Sequence, residues 1–366
     1  MRLTGEPANR GGREPVTPWA ENRVGAGAAV AFFMNPNSCR GQDPVRKAGS
    51  QKMRERSTVG IDVSKLRLDV GVVPGGEVLQ FSNDVAGRAS LIEWLKAKGV
   101  KAIGLEASGG YERDLIKALR QAGLPVRMVN PYRLRQYAKA LGVLAKNYRI
   151  DARLIAQFVA ELPTREPRHD PLTEQMAELV VARRQLSDDK VRLSNQLEHV
   201  RDPALRRMTT QRLRRIAADI VLLDKRLAEI VASNTELRTR DRLIQSICGA
   251  GPIYSYTLIA LVPELADPTL DRRQLAALIG VAPYDDDSGR RNGKRAIWGG
   301  RAAVREVAYM AALSACIHNP VLRAHRQRLQ ANGTAPKQAI IAVARRMLGI
   351  VLALLRTGKE WDPKYA

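Results

Sequence analysis

The sequence predicts an α/β domain, then a long helical hairpin, then a mostly α-helical C-terminal domain. Three observations carry this. Short β-rich apolar runs alternate with amphipathic stretches from Thr58 to about residue 165. From about 171 to 241 apolar residues recur at three-and-four spacing with charges between them. Beyond that, apolar helical segments are broken by glycines up to the C-terminus.

The elements follow in order. Thr58 to Val63 (TVGIDV) and Leu66 to Val73 (LRLDVGVV) read as strands, and Pro74-Gly75-Gly76 turns the chain into a third, Glu77 to Phe81. A helix over Ala86 to Lys98 places Leu91, Ile92 and Leu95 on one face. Lys101 to Glu106 is a buried-type strand ended by Ser108-Gly109-Gly110. A helix from Tyr111 to Ala122, a strand from Pro125 to Val129 and helical segments on either side of Lys146 complete the series. The order βββαβαβα is that of a ribonuclease H-like (RuvC-like) domain, expected over 57–165.

MAELVVARRQLSDDKVRLSNQLEHV and LRRIAADIVLLDKRLAEIVASN, separated by Arg201-Asp202-Pro203, predict a helical hairpin over 166–241. Its apolar stripe suits packing on the first domain or a coiled-coil dimer seam. In the C-terminal domain, 242–366, Leu243 to Val262 carries Gly-x-Gly between two helical segments. That pattern resembles a helix-hairpin-helix, whose second helix start can hold a phosphate; close helix packing would equally explain the glycines. Lys337 to Leu355 reads as a core helix with a basic edge at Arg345 and Arg346.

Composition narrows the partners. A formal net charge of +23 and a pI near 10.5 point to a polyanion. The basic residues are spread along the chain and no apolar run approaches ~18 residues, so nucleic acid fits better than a membrane. Cys39, Cys248 and Cys316 have no CxxC spacing, which argues against a disulfide framework or structural zinc and suits a reducing cytoplasm. His169, His199, His318 and His325 make no metal-ligating spacing. Residues 1–56, rich in Gly, Pro, Asn and Arg, are expected to be disordered, with Met53 a candidate native start; a basic arm touching nucleic acid is the other reading.

Two constellations carry chemistry. Asp62 interrupts the apolar run of the first strand, Glu106 ends the strand expected beside it, and Asp151 opens a helix in RIDARLIAQF. A carboxylate on such a strand is costly unless it is paired or binds a cation, and oxygen donors suit Mg²⁺. For Asp151, a plain N-cap is the alternative. The second constellation is Ser288 in a Ser-Gly turn, ahead of Arg290, Arg291, Lys294, Arg295, Arg301 and Arg305, with no acid before Glu306. A hydroxyl beside that much positive charge is suited to meeting a phosphodiester. Asp285-Asp286-Asp287, just before the serine, read as a solvated acidic turn or as a metal or hydroxyl activator. Trp298 and Gly299-Gly300 suggest a turn near DNA or simple core packing.

GIDVSKLRLDV, LEASGGYE, VNPYRLRQYAKALGVLAKNYRIDA, GAGPIYSYTLIALVPEL, LIGVAPYDDDSG and GKRAIWGGRAAVREVAYMAAL together resemble the DEDD transposases of bacterial insertion sequences, relatives of the Piv-type DNA invertases. The resemblance runs from about Thr58 to the C-terminus. It implies a RuvC-like domain whose carboxylates bind Mg²⁺, and a C-terminal transposase domain whose serine forms a transient phosphoserine link with DNA. It further implies a structured guide ("bridge") RNA pairing with donor and target DNA, a homo-oligomer (dimer or tetramer) with shared active sites, and work on the bacterial nucleoid in the cytoplasm. By position Asp62 is the first acid, Glu106 the second, Asp151 the last and Ser288 the nucleophile. The family's D-x-x-D pair is broken here: Tyr148 stands three residues before Asp151. A neutral phenol is a poor Mg²⁺ ligand, so if Tyr148 faces the site impaired cleavage is expected, on the order of 10³-fold in rate; the alternative is that a nearby acid such as Asp151 suffices.

Three other readings are compatible with parts of the sequence. A RuvC-like nuclease or junction resolvase accounts for the acids but not for the Ser288 block. GIDVSKLRLDV also resembles the first phosphate loop of the actin and sugar-kinase fold, yet no second Gly-rich half follows. A non-catalytic nucleic-acid-binding remnant is compatible with Tyr148.

Overall fold

The computed structural model describes residues 57–366 except 108, 144–147, 165, 167–169, 286, 289–292, 294 and 366, and leaves out the side chains of 148–150 and 365. The N-terminal extension expected to be disordered, and Arg290, Arg291 and Lys294, lie outside the described residues.

Strands β1 (Thr58–Val63), β2 (Arg67–Val73) and β3 (Val78–Ser82) form an antiparallel meander. Strands β4 (Ala102–Glu106) and β5 (Val126–Val129) then add in parallel on the other side of β1, giving the order β3-β2-β1-β4-β5. Alternation along β1 sends Val59, Ile61 and Val63 to one face, where they meet Leu91 and Leu95 of α1 (Val85–Lys98) and Leu115 and Leu119 of α2 (Arg113–Gln121). Asp84 caps α1, accepting from Gly87 N–H at 2.7 Å, and Gly99 closes it in the left-handed region.

The opposite face has almost no side chains at its centre. Gly60, Gly71 and Gly104 stand in one row across β2, β1 and β4. A Cβ on any of them would collide with α4 (Tyr148–Glu161), against Ala152, Arg153, Ile155, Ala156 or Val159. The glycines therefore let this helix lie directly on the sheet. Helix α3 (Pro131–Ala140) packs beside it, Leu134 and Ala138 joining Leu154, Ile155 and Phe158. The result is a three-layer α/β/α arrangement.

Helices α5 (Pro171–His199) and α6 (Pro203–Ser233) form the expected hairpin, with Asp170 and Asp202 as N-caps and Pro at each first turn. Arg183 and Asp224 bridge it at 2.5 Å. Its base is buried: Met176, Val180, Leu227, Ile230 and Val231 enter the C-terminal core. That core is built from α7 (Thr235–Gln245), α8 (Pro252–Leu261), α9 (Arg272–Ile279), α10 (Ala302–His318), α11 (Pro320–Ala331) and α12 (Pro336–Thr357). By length and composition α12 could cross a membrane, but most of its apolar face is buried in this core. Gly249, at positive φ, lies against Ala315 of α10, so close packing accounts for that glycine of the Gly-x-Gly.

Candidate active site

Register places three acids in one row. Asp62 is paired with Asp69 across the antiparallel β1–β2 ladder. The parallel β1–β4 ladder runs from Thr58 with Ala102 to Ile61 with Leu105, so its next step sets Asp62 beside Glu106. Each acid is two residues from a glycine of the row under α4, and residues two apart on a strand share a face. Asp69, Asp62 and Glu106 therefore line up on the α4 side, next to Gly71, Gly60 and Gly104. Asp69 is buried and accepts a hydrogen bond from Gln80 Nε2 at 2.9 Å. Sequence reading passed over Asp69; the signal available was a second acid inside an apolar strand, LRLDV.

Asp151 reaches the same region from above. Helix α4 starts at Tyr148, so Asp151 sits inside its first turn rather than at its cap, and it is buried. The next residue, Ala152, lies over Gly60. Asp151 thus enters the layer between helix and sheet at the level of β1. Tyr148 opens the same turn, but its side chain is outside the described residues. Among the described residues, no three His, Cys, Asp or Glu side chains converge as ligands of one ion. Mg²⁺, however, is commonly held by one or two carboxylates plus water. The neighbouring oxygen donors Asp62, Asp69 and Glu106, with Asp151 above, fit that requirement.

The serine lies on a separate device. Strands β6 (Pro283–Tyr284) and β7 (Ala296–Ile297) pair antiparallel as a hairpin, and Ser288, between them in the chain, is exposed. Two of the three preceding acids brace this hairpin. Asp285 pairs with Arg295 at 2.5 Å across its neck, and Asp287 Oδ1 accepts from Gly293 N–H at 2.9 Å. Below the hairpin, Gly280 (φ 83°) and Gly300 (φ 69°) touch backbone to backbone, which no side chain would permit. Arg301 then locks the loop from beneath: it makes two hydrogen bonds to Glu264, at 2.6 and 2.7 Å, and a third to the Leu261 carbonyl. Arg305 donates to the Gly299 carbonyl. In this conformation Arg295, Arg301 and Arg305 are engaged within the protein.

An aromatic contact joins the serine hairpin to α3 of the first domain. Trp298, directly after β7, meets Tyr132 edge-on with ring centroids 4.8 Å apart. Tyr132 is in the first turn of α3, which follows β5 directly. Because β1, β4 and β5 are parallel, their C-terminal ends, carrying Asp62, Glu106 and Val129, lie at one edge of the sheet. The hairpin is therefore tethered on the side of the molecule where the carboxylates emerge.

Comparisons with known proteins give the family. Residues 59–202 match the DEDD transposase family of the IS110 group, and residues 241–327 match the transposase IS116/IS110/IS902 family. The chain is 26% identical to the pilin gene-inverting protein of Moraxella lacunata over 324 residues, 84% of this chain and 98% of that protein. Its counterpart from Moraxella bovis matches with the same figures. An uncharacterized 44.8 kDa protein of insertion element IS116 from Streptomyces clavuligerus is 30% identical over 152 residues, 40% of this chain and 38% of that protein. The carboxylate-bearing sheet and the serine hairpin fall in the two matched segments. The chain belongs to the DEDD transposases of the IS110 type, a family of transposases and recombinases.

Proposed function

We propose that this transposase cleaves and rejoins DNA through Ser288, beside a Mg²⁺ site formed by Asp62, Glu106 and Asp151 with Asp69 as an added acid. The observation that carries this reading is the row of Asp69, Asp62 and Glu106 on the face where α4 brings in Asp151. The β3-β2-β1-β4-β5 order, with β2 alone antiparallel to the central β1, β4 and β5, supports a ribonuclease H-like domain over 57–165. The hairpin and transposase domains are read as 166–241 and 242–366.

In this mechanism Ser288 Oγ attacks phosphorus. An Oγ–P bond forms, one bridging P–O bond of the strand breaks, and the serine proton passes to solvent while the leaving oxygen takes one up. Rejoining reverses these steps with a new strand hydroxyl. The divalent ion, when bound, would supply charge neutralisation at the phosphoryl oxygens. The carboxylates hold that charge at the sheet edge, and the basic residues around the hairpin, Arg290, Arg291, Lys294, Arg295 and Arg305, draw the phosphate toward the serine, while Arg301 braces the hairpin base through Glu264. The Trp298–Tyr132 contact supports bringing serine and acids together.

The net charge of +23 supports a second polyanion, a structured guide RNA, besides donor and target DNA. Exposed Val191, Leu205, Met208, Val221 and Leu222 on the α5–α6 hairpin support a homo-oligomer, dimer or tetramer. The place of action is the nucleoid, in the bacterial cytoplasm.

The test incubates the protein with donor and target DNA, flanking RNA and Mg²⁺, and reads covalent protein–DNA adducts on a denaturing gel. Adducts are expected and are lost in Ser288→Ala and Asp62→Asn. Tyr148→Asp is expected to raise their rate by on the order of 10³-fold. Adducts that persist in Ser288→Ala would overturn the serine step. Tight nucleic-acid binding with no adduct in either the native protein or Tyr148→Asp would favour a non-catalytic remnant.

A further inference from the structure

A groove of about 1520 Å³ runs along one face of α12 beside α9 and opens at the neck of the serine hairpin, where Pro283, Asp285 and Arg295 line it. Ala342, Arg345, Arg346, Gly349 and Ala353 recur along α12 at three-and-four spacing, so a single helix face forms this wall. The floor is small-sided, and Arg272 from α9 lies across Gly349, its Cδ 3.4 Å from where a Cβ would stand. A larger residue there would displace the guanidinium.

Charge is not balanced within this groove. Its carboxylates are already engaged: Asp285 with Arg295, Glu360 with Arg242, and Asp362 with the Lys364 N–H. Arg272, Arg273, Arg345 and Arg346 have no carboxylate partner among the described residues. His325 lines the same groove, and burial together with Arg346, Arg328 and Arg345 holds its pKa below the usual histidine value. Four guanidiniums around a cleft, without counter-ions, describe a receptor for successive phosphates.

We propose that this groove holds the backbone of the DNA strand flanking the phosphate presented to Ser288. The site rests on the serine reading for its orientation, but binding by it does not depend on the serine. The groove is continuous with the hairpin neck, so a strand lying along α12 emerges beside Asp285 and Arg295. Arg272, Arg273, Arg345 and Arg346 are separate from the arginine cluster that follows Ser288 in the sequence.

The test measures binding of a fluorescent DNA duplex to the full chain by anisotropy at several salt concentrations. The paired variants are Arg345→Gln with Arg346→Gln, and independently Arg272→Gln with Arg273→Gln on the exposed start of α9. Each pair is expected to weaken DNA binding about tenfold or more at moderate salt. Each is also expected to reduce the log–log salt slope by about 2, one released counter-ion per lost phosphate contact. Arg345→Lys with Arg346→Lys should restore most of the affinity. Unchanged DNA affinity and slope in both glutamine pairs would overturn the proposal. So would a loss confined to RNA, or to an acidic peptide used as competitor. Ser288→Ala separates the two readings: it should bind DNA normally while forming no adduct, so a failed serine step leaves the groove result intact.

Discussion

Asp62 and Asp69 face one another across the β1–β2 ladder, both on the side of the sheet covered by α4. Like charges directly opposite cost about 0.2–1 kcal/mol, and the buried Asp69 accepts a hydrogen bond from the neutral Gln80 amide. A cation between them would turn that cost into a binding site. Asp69→Asn keeps the acceptor for Gln80 while removing charge. It is therefore expected to leave the metal-free melting temperature unchanged or slightly raised, and to shrink the rise that Mg²⁺ produces in the native protein. An undiminished rise would remove Asp69 from the site.

Gly60 is expected to tolerate no side chain. A Cβ there would fall inside the Ala152 carbonyl and the Ala156 N–H of α4, both backbone groups that cannot rotate away. Gly60→Ala should cost about 2 kcal/mol or more, because relief requires lifting the helix from the sheet. Since α4 carries Asp151, Mg²⁺ binding should weaken in the same variant. Denaturant unfolding checks the first effect and calorimetry the second; an unfolding midpoint like that of the native protein would contradict the packing described.

Arg301 is expected to matter for stability rather than for contact with DNA. It is about one-third exposed and holds the hairpin base through Glu264 and the Leu261 carbonyl. Arg301→Ala, discounted for that exposure, should cost about 1–2 kcal/mol. Binding of DNA by the folded fraction should keep its salt slope. A slope reduced by about 1 would show that Arg301 instead meets a phosphate.

His325 offers a pH readout of the α12 groove. Its pKa is depressed, by burial first and then by Arg346, Arg328 and Arg345. The unfolded chain thus takes up this proton more readily than the native one. The stability linked to His325 is complete above its ordinary 6.5 and is lost as pH falls through the lower native value. DNA in the groove would neutralise the arginines and raise that pKa toward the ordinary value. An NMR titration of the imidazole with and without a DNA duplex measures the shift; an identical pKa in both would place the DNA elsewhere.

Much of the fold was readable residue by residue. The five strands and the first two helices lie within about two residues of their expected limits, and α3 and α4 lie on either side of Lys146 as expected. Tyr111 and Glu112 precede α2 instead of opening it, because the Gly110 N–H turns back to Glu112 Oε2 at 2.9 Å. The long hairpin was equally plain, since each helix has an Asp cap, an early proline and an unbroken helical period. Asp62, Glu106 and Asp151 were found because a carboxylate in an apolar run is conspicuous. Asp69 was missed because a single acid on an amphipathic strand looks like an ordinary outward residue until its partner strand is known.

Local periodicity, turn residues and charge were enough to define most elements, the basic character and the Ser-Gly turn at Ser288, because each depends on neighbours a few positions away. The carboxylate row depends on strand register and on three glycines from distant segments admitting one helix. The engagement of Arg301 with Glu264, 37 residues earlier, and the α12 groove likewise arise from contacts that folding creates. An arginine's role is set by whether a carboxylate reaches it, and that is a matter of packing between segments far apart in the chain.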